Sequence, residues 1–338
     1  MSRYSRQELF AGIRRDGQAR LRGSRVLLIG CGALGSSLAE MMTRAGVGAL
    51  TLVDRDYVEE SNLQRQSLFD EEDAARGLPK AVAAEAKLRR INSDVNVRGI
   101  VADLSAESAG ELLRDADLVL DGTDNFETRF LLNDVCVRES LPWIYGACVG
   151  AYGLALVVRP RLTPCLRCVL QEQPAPGSGP TCDTAGVIAP IVHVIAGIQA
   201  GEALKLLAGR TESLLPGLVT IDLWQGQFDV LDFTGRAPSC PACVEGRYDY
   251  AVVGAGGTST ALCGRDAVQI RPPRGAALDL PALAGRLAAV GSVSSNPYLI
   301  RFKAPDAELV VFGDGRAIVK GVVDLAQARS LYAKYIGA

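Results

Sequence analysis

The chain has 338 residues, of which 48% are hydrophobic and 22% charged, with a formal net charge of -2 and a pI near 5.7. Because a domain of roughly 150 residues is common, this length predicts about two domains. A nearly neutral chain lacks the basic surface typical of proteins that bind nucleic acid or anionic membranes, so we expect neither kind of partner.

Strands and helices alternate through the first part of the chain. Residues 24–30 predict a buried strand, a glycine-rich turn then opens a helix that ends at Gly46, and residues 49–54 predict a second strand. The alternation continues with predicted helices at 79–92, 105–114 and 125–139 and predicted strands at 95–102 and 117–121. This order predicts an α/β fold, a doubly wound Rossmann-like sheet that is mostly parallel.

The later segments indicate an antiparallel extension of that sheet and a smaller second domain. Strand patterns occur at 152–160, 218–224 and 227–233, a predicted helix at 189–207, and a Pro- and Gly-rich irregular loop at 171–186. We therefore expect a first domain over residues 1–246, a linker over 247–260 and a small C-terminal α+β domain over 261–338.

A glycine pattern at the end of the first strand predicts a nucleotide site. Gly30, Gly32 and Gly35 form a G-x-G-x-x-G sequence between strand and helix, where backbone N–H groups can approach a phosphate. Asp54 ends the next strand, where a carboxylate can accept ribose hydroxyls. The alternatives are a dinucleotide site and a tight turn without a ligand.

Three cations near this pattern favour a triphosphate over a dinucleotide. Lys80 follows Pro79 in the first turn of a predicted helix, where the helix dipole disfavours a cation unless an anion faces it. Arg65 lies in the loop after Asp54, and Arg6 precedes the sheet. The alternative is that Lys80 and Arg65 are solvated surface charges.

Asp124 is the candidate Mg²⁺ ligand. It lies just beyond the carboxyl end of a predicted parallel strand, where open α/β sheets bind their ligands. Its alternative role is to cap the following helix, which Asn125 could do instead.

Two C-x-x-C pairs predict a structural zinc site. They consist of Cys165 with Cys168 and Cys240 with Cys243, and four thiolates suit tetrahedral Zn²⁺. A redox C-x-x-C pair is the less favoured alternative, since Pro164 and Pro241 indicate turns rather than a strand followed by a helix.

The other cysteines and the single histidine give weaker signals. A start without an apolar leader predicts a cytoplasmic location, and in that reducing compartment nine cysteines indicate metal binding or thiol chemistry rather than disulfides. Cys182 stands alone in the 171–186 loop, where we expect an accessible thiol, and a sulfur-relay role for Cys263 stays open. We expect core positions for Cys31, Cys136 and Cys148 and a core or interface position for His193.

Several motifs occur together and in order: RYSRQ, GCGALGS, DRDYVEESNLQRQ, GLPKA, DGTDN, the two C-x-x-C pairs and TCDTAGVIAP. Over residues 2–244 the chain thereby resembles the ThiF/MoeB/HesA branch of the ubiquitin-activating E1-like enzymes. The resemblance implies an adenylyltransferase that uses ATP to adenylate the C-terminal glycine of a ubiquitin-like sulfur carrier ending in Gly-Gly. Such a reaction would serve molybdopterin, thiamin or related sulfur transfer.

The resemblance also implies roles for individual residues. Asp54 resembles the ribose ligand, Asp56 a polar residue near the nucleotide, and Asp124 the Mg²⁺ ligand. The expected phosphate ligands are Asn62, Arg65 and Lys80. Arg6 resembles the arginine that reaches the neighbouring subunit's phosphates, which implies a homodimer.

Cys182 matches the cysteine that forms an acyl disulfide or thioester with the activated carrier, and a cysteine desulfurase or rhodanese is a possible sulfur donor. The C-terminal domain departs from the family pattern, because it lacks the C-R-x-G-x-x-S loop of the rhodanese domain fused to some relatives. Two other function classes stay open at this point: a non-catalytic E1-like subunit that binds ubiquitin-like proteins, and an NAD-dependent oxidoreductase.

Overall fold

The computed structural model describes residues 3–175, 179–232, 239–252, 259–262, 267–271 and 278–337. Residue contacts divide the chain into two units. The first contains Met1–Ala175 and Gly186–Ala255, and the second contains Pro176–Ala185 and Gly256–Ala338.

An eight-stranded sheet forms the centre of the first unit, in the order β3-β2-β1-β4-β5-β6-β7-β8. The strands are β1 (Arg25–Ile29), β2 (Ala49–Asp54), β3 (Asn96–Val101), β4 (Leu118–Asp121), β5 (Trp143–Val149), β6 (Tyr152–Val158), β7 (Gly217–Asp222) and β8 (Gln227–Asp232). Strands β1 to β5 pair in parallel, and β5 to β8 pair antiparallel. The predicted α/β fold with an antiparallel extension is confirmed.

Helices cover both faces of this sheet. The helices before the antiparallel extension are α1 (Ser5–Leu9), α2 (Arg14–Gly23), α3 (Ala33–Ala45), α4 (Glu71–Ala75), α5 (Lys80–Ile91), α6 (Ala106–Leu113) and α7 (Phe126–Arg138). They are followed by α8 (Leu166–Val169), α9 (Cys182–Ala185) and α10 (Ala189–Leu207), of which α9 is grouped with the second unit. Apolar residues of α3, α5 and α10 pack on one face, and those of α6 and α7 pack on the other. The sheet is therefore doubly wound.

The order of the strands defines where a ligand can bind. From β1 the chain passes to β2 on one side and later returns to β4 on the other, so the connections after β1 and β4 lead away in opposite directions. Open α/β sheets bind ligands in the crevice at the carboxyl ends of such strands. Gly30 follows β1 and Gly122 follows β4, and both lie at this crevice.

Helix α10 spans the 19 residues predicted for it and is long and apolar enough to cross a membrane by length and composition. In this structure it packs against α3, β5 and β6. The buried amide of Gln199 donates to the backbone carbonyls of Asp121 (2.9 Å) and Ile144 (3.2 Å). Helix α10 is therefore the core helix of the first unit.

The second unit contains a six-stranded antiparallel sheet in the order β11-β12-β13-β14-β10-β9. Its elements are β9 (Ser259–Leu262), β10 (Ala267–Ile270), α11 (Leu280–Leu287), β11 (Ser292–Ser295), β12 (Leu299–Ala304), β13 (Ala307–Phe312), β14 (Ala317–Lys320) and α12 (Leu325–Tyr335). Both helices pack on one apolar face of this sheet. The sequence patterns predict β10, α11, β12, β13, β14 and α12, but they do not predict the short strands β9 and β11.

The segment predicted as a linker is packed where it begins. Asp249–Ala251 form a 3-10 helix, and Ala251 is buried in the core of the first unit. Residues 253–258 lie outside the described residues, and residues 259–260 belong to β9. The domain boundaries predicted at 246 and 260 stay a prediction.

Candidate functional site

The glycines after β1 differ in what requires them. Gly30 has a φ of +85°, and a Cβ on Gly35 would lie 1.9 Å from the Gly30 carbonyl oxygen, so both are needed for a close turn. Gly32 precedes α3, and a Cβ there would meet only Gln66 Nε2, at 3.9 Å. Among the described residues no side chain caps α3. The start of α3 thus offers backbone N–H groups beside open space, which suits a phosphate.

Asp54 holds the glycine turn in place. Its Oδ2 accepts a hydrogen bond from the Cys31 N–H (2.6 Å), and its Oδ1 accepts one from the Asp56 N–H (2.7 Å). Burial raises the pKa of the Asp54 carboxyl above its usual value. Each carboxylate oxygen has a second lone pair, so the same group can still accept a ribose hydroxyl.

Lys80 begins α5 as predicted, but it is not a surface residue. Its side chain is 4% exposed, and its Nζ lies 3.3 Å from Asp56 Oδ2. The Lys80 N–H also donates to the Asp56 carbonyl (2.9 Å), which ties the start of α5 to the loop after β2. The structure thus brings a buried cation to the loop that follows Asp54.

Asn62 and Arg65 belong to the same loop. Asn62 ends a 3-10 helix (Glu60–Asn62), is buried, and accepts the Glu59 N–H through Oδ1 (3.1 Å). Arg65 is half-buried, and its guanidinium donates to the Ser61 carbonyl (3.0 Å). Arg6 is exposed on α1, and its side chain makes no hydrogen bond or ion pair to any residue that the structure describes. The structure therefore does not bring Arg6 to the site of its own chain.

Asp124 lies exposed in the connection between β4 and α7. Asn125 caps α7 by accepting the Thr128 N–H (2.9 Å), so the capping role belongs to Asn125. Beneath this connection Arg129 pairs with the fully buried Asp121 (3.3 Å) and donates to the Thr123 carbonyl (2.7 Å). The Asp121–Arg129 pair fixes the backbone next to Asp124.

Sequence reasoning missed the Asp121–Arg129 pair. The available signal was weak, because Arg129 is one of several charged residues in helix α7. Once buried, such a residue needs a partner, but the sequence does not say which one.

The four predicted zinc ligands converge. Their Sγ atoms all lie within 4.8 Å of one another, with Cys165–Cys240 at 3.6 Å and Cys168–Cys243 at 3.3 Å. Zn–S bonds of about 2.3 Å in a tetrahedron require sulfur–sulfur separations of about 3.8 Å. Contact with the Cys168 thiol raises the pKa of Cys165 far above its usual range. The donor set fits zinc.

The cysteine cluster is joined to α7. Leu166 donates its N–H to Asn133 Oδ1 (2.9 Å), and Arg167 pairs with the buried Asp134 (3.2 Å). Arg167 also pairs with Asp249 (2.9 Å) in the segment that follows the second cysteine pair. Helix α7 begins two residues after Asp124, which lies in the connection between β4 and α7. We call this connection the candidate catalytic loop, and α7 joins it to the cysteine cluster.

The remaining candidates are dispersed. Cys182 is half-buried at the start of α9, a helical turn within the segment predicted as irregular, and Cys263 lies outside the described residues. Cys31 and Cys136 are core residues as predicted, whereas Cys148 is only half-buried. His193 is exposed rather than in the core, and its Nδ1 lies 3.1 Å from Ser37 Oγ.

Comparison of the chain with known proteins identifies its family. The ThiF family model matches residues 4–242. The chain belongs to the ThiF family. The sulfur carrier protein ThiS adenylyltransferase of Bacillus subtilis is 48% identical over 337 residues, which are 99% of both chains. The protein of the same name from Escherichia coli is 40% identical over 242 residues, 71% of this chain and 94% of its own.

These alignments show which part of this ThiF-family chain is shared. The B. subtilis relative aligns over nearly the whole chain and thus over both units, whereas the E. coli relative aligns over 71% of it. Among solved structures, E. coli MccB with ATP has a TM-score of 0.62 at 23% identity and covers 72% of this chain and 74% of its own. That likeness supports the fold.

Proposed function

We propose that this chain uses ATP to adenylate the C-terminal glycine of a ubiquitin-like sulfur-carrier protein and releases pyrophosphate. Curated relatives from B. subtilis, E. coli and Thermus thermophilus carry names that describe this reaction. The structural observation that carries the proposal is the position of Lys80. This residue is a buried cation among the loops around the start of α3, where the backbone N–H groups lie beside open space.

The proposed chemistry needs charge compensation more than proton transfer. A peptide α-carboxylate, with a pKa of about 3.5, is already ionised at neutral pH, so its attack on the α-phosphorus requires no general base. The new bond joins the carboxylate oxygen to the α-phosphorus, and the bond from that phosphorus to the pyrophosphate oxygen breaks. The barrier arises from bringing one anion to another, and fixed donors and cations lower it.

Each loop of the site supplies one part of that compensation. We assign the ribose to Asp54, and the phosphates to the N–H groups at the start of α3 and to Asn62, Arg65 and Lys80. In this structure Lys80 pairs with Asp56, and an incoming phosphate would replace or share that partner. A cation that is already buried and oriented loses little entropy when the nucleotide binds.

A divalent cation is part of the proposal. Mg²⁺ prefers oxygen ligands and is often held by one or two carboxylates together with substrate phosphates. Asp124 supplies one exposed carboxylate beyond the carboxyl end of β4. The ion would neutralise phosphate charge, and the role of Asp124 is to hold it in place.

A second copy of the chain completes the proposed site. Arg6 is exposed, and the following residues Leu9 and Phe10 are 73% and 64% exposed. An apolar surface next to an arginine suits a homodimer in which Arg6 reaches the neighbour's phosphates.

For the later sulfur step we propose Cys182 as the residue that becomes covalently linked to the carrier. We propose a cysteine desulfurase or rhodanese as the sulfur donor and the cytoplasm as the location.

ATP–pyrophosphate exchange tests the proposed function. Exchange should require ATP, Mg²⁺ and a carrier ending in Gly-Gly, and it should be lost with a carrier whose last glycine is deleted. Carrier binding without exchange would instead support a non-catalytic E1-like subunit. Oxidation of NADH would support an oxidoreductase.

A further inference from the structure

From the surroundings of Gln66 we infer that its side-chain amide is a further phosphate contact, donating to the triphosphate at the start of α3. The inference rests on the proposed nucleotide site and adds a neutral donor to its cations. Gln66 follows Arg65 directly but was not among the residues predicted from the sequence.

Gln66 is buried without the partner that a buried amide needs. Its side chain belongs to a residue that is 3% exposed, and its Oε1 has no hydrogen-bond partner among the described residues. Its Nε2 makes no hydrogen bond to a described residue and, unlike Oε1, is not completely buried. A phosphate cannot satisfy the Oε1 acceptor, so the contact available to a phosphate is the Nε2 donor.

The amide points at the helix start. Apart from Gly32 itself and its two chain neighbours, Gln66 Nε2 is the one atom of the described residues within 4 Å of the position that a Cβ on Gly32 would occupy, at 3.9 Å. Gly32 immediately precedes α3, whose first N–H groups have no side-chain cap among the described residues. A phosphate bound there would lie between these N–H groups and the Gln66 amide.

The backbone holds Gln66 in this position. The Gln66 N–H donates to the Asn62 carbonyl (3.0 Å), and the Phe69 N–H donates to the Gln66 carbonyl (3.1 Å). The two orientations of the Gln66 amide differ only by exchange of its oxygen and nitrogen and occupy the same position. In one of them the NH₂ group faces the open space beside Gly32. Since a neutral donor adds no net charge, its contribution is to orient the phosphate.

The test compares three variants of the full chain by calorimetric titration with ATP–Mg²⁺ and, separately, with adenosine. Gln66→Leu should weaken ATP binding about tenfold, as expected for loss of one donor to a charged group, and should leave adenosine binding within about threefold. Gln66→Glu should weaken ATP binding more, because it places a carboxylate against the phosphate. Gln64→Glu is the matched control, since Gln64 is exposed in the same segment, and it should bind ATP like the wild type.

Thermal unfolding of the ligand-free variants separates ligand binding from packing. Because the amide is unpaired without nucleotide, Gln66→Leu should not lower the unfolding midpoint. A lower midpoint with unchanged ATP affinity would overturn the inference, as would equal losses of ATP and adenosine affinity. A wild-type chain that binds no ATP would refute the proposed nucleotide site itself.

Discussion

Lys80 shows how one residue can identify a site. A lysine in the first turn of a helix is disfavoured by the helix dipole, and burial disfavours it further. The structure nevertheless buries Lys80 and offers it Asp56 as a partner. In the proposed site, this partner on the neighbouring loop would keep the cation in place before a phosphate binds, so that the site would be preorganised.

Replacing Lys80 should therefore affect catalysis strongly. We expect Lys80→Ala to lower the rate of carrier-dependent ATP–pyrophosphate exchange by about 10²-fold or more, because one stabiliser of the transition state is lost. The matched control is Lys87→Ala on the same helix, since Lys87 pairs with Asp70 and Asp73 away from the glycine turn. Exchange by Lys80→Ala within threefold of the control would contradict the assignment.

Replacing Asp124 tests separately whether this residue binds the divalent cation. Asp124→Asn keeps the shape of the side chain but removes the charge that would hold Mg²⁺, so exchange should fall by about 10²-fold and saturate at higher Mg²⁺. Asp115→Asn is the control, because Asp115 is 83% exposed before β4. An unchanged Mg²⁺ dependence in Asp124→Asn, measured by titrating exchange with MgCl₂, would refute the metal assignment.

At the scale of elements, α7 connects the cysteine cluster to the candidate catalytic loop. Asp134 on this helix is 0% exposed and pairs with Arg167, which lies between two of the cysteines. Removing one partner of a buried pair leaves the other charge uncompensated, which is more costly than losing a surface pair.

Unfolding measurements can detect this difference. Arg167→Met should lower the free energy of unfolding in urea by about 3–5 kcal/mol, and adding Asp134→Leu should restore part of it. Arg25→Met is the control, since Arg25 and Asp117 form an exposed pair (3.2 Å), and it should cost less than about 1 kcal/mol. Equal effects of Arg167→Met and Arg25→Met would show that the connection to α7 is not important for stability.

The sequence predicts those elements whose local signals agree with their environment. Pro79 and the apolar period predict α5. Gly30, Gly32 and Gly35 predict the turn before α3, in which Gly30 has a positive φ and Gly35 lies against the Gly30 carbonyl. The short strand β11 was missed, because its SVSS sequence is polar and its pairing with β12 is a tertiary contact.

The residues of the candidate site likewise differ in whether the sequence predicts them. The positions of Asp54 and Lys80 follow from motif spacing, which fixes the ends of β2 and the start of α5. Gln66 could not be recognised from the sequence, because a glutamine in a polar loop is usually exposed. Only the folded chain shows that it is buried beside Gly32.

For the whole molecule, the cysteine cluster joins segments far apart in the sequence, because Cys165 and Cys240 are 75 positions apart. We expect one zinc ion per chain by elemental analysis. Cys240→Ser should lose the metal and lower the thermal midpoint by several degrees, because structural zinc contributes directly to folding free energy. Cys182→Ser is the control and should retain the metal. A Cys240→Ser chain with unchanged zinc content would contradict the assignment.

The measurement that tests the central claim most directly is a crystal structure of the chain with a non-hydrolysable ATP analogue and Mg²⁺. We expect the ribose on Asp54, the triphosphate between the start of α3 and Lys80, and the metal on Asp124. A nucleotide bound elsewhere on the chain, with Lys80 still paired only with Asp56, would contradict it.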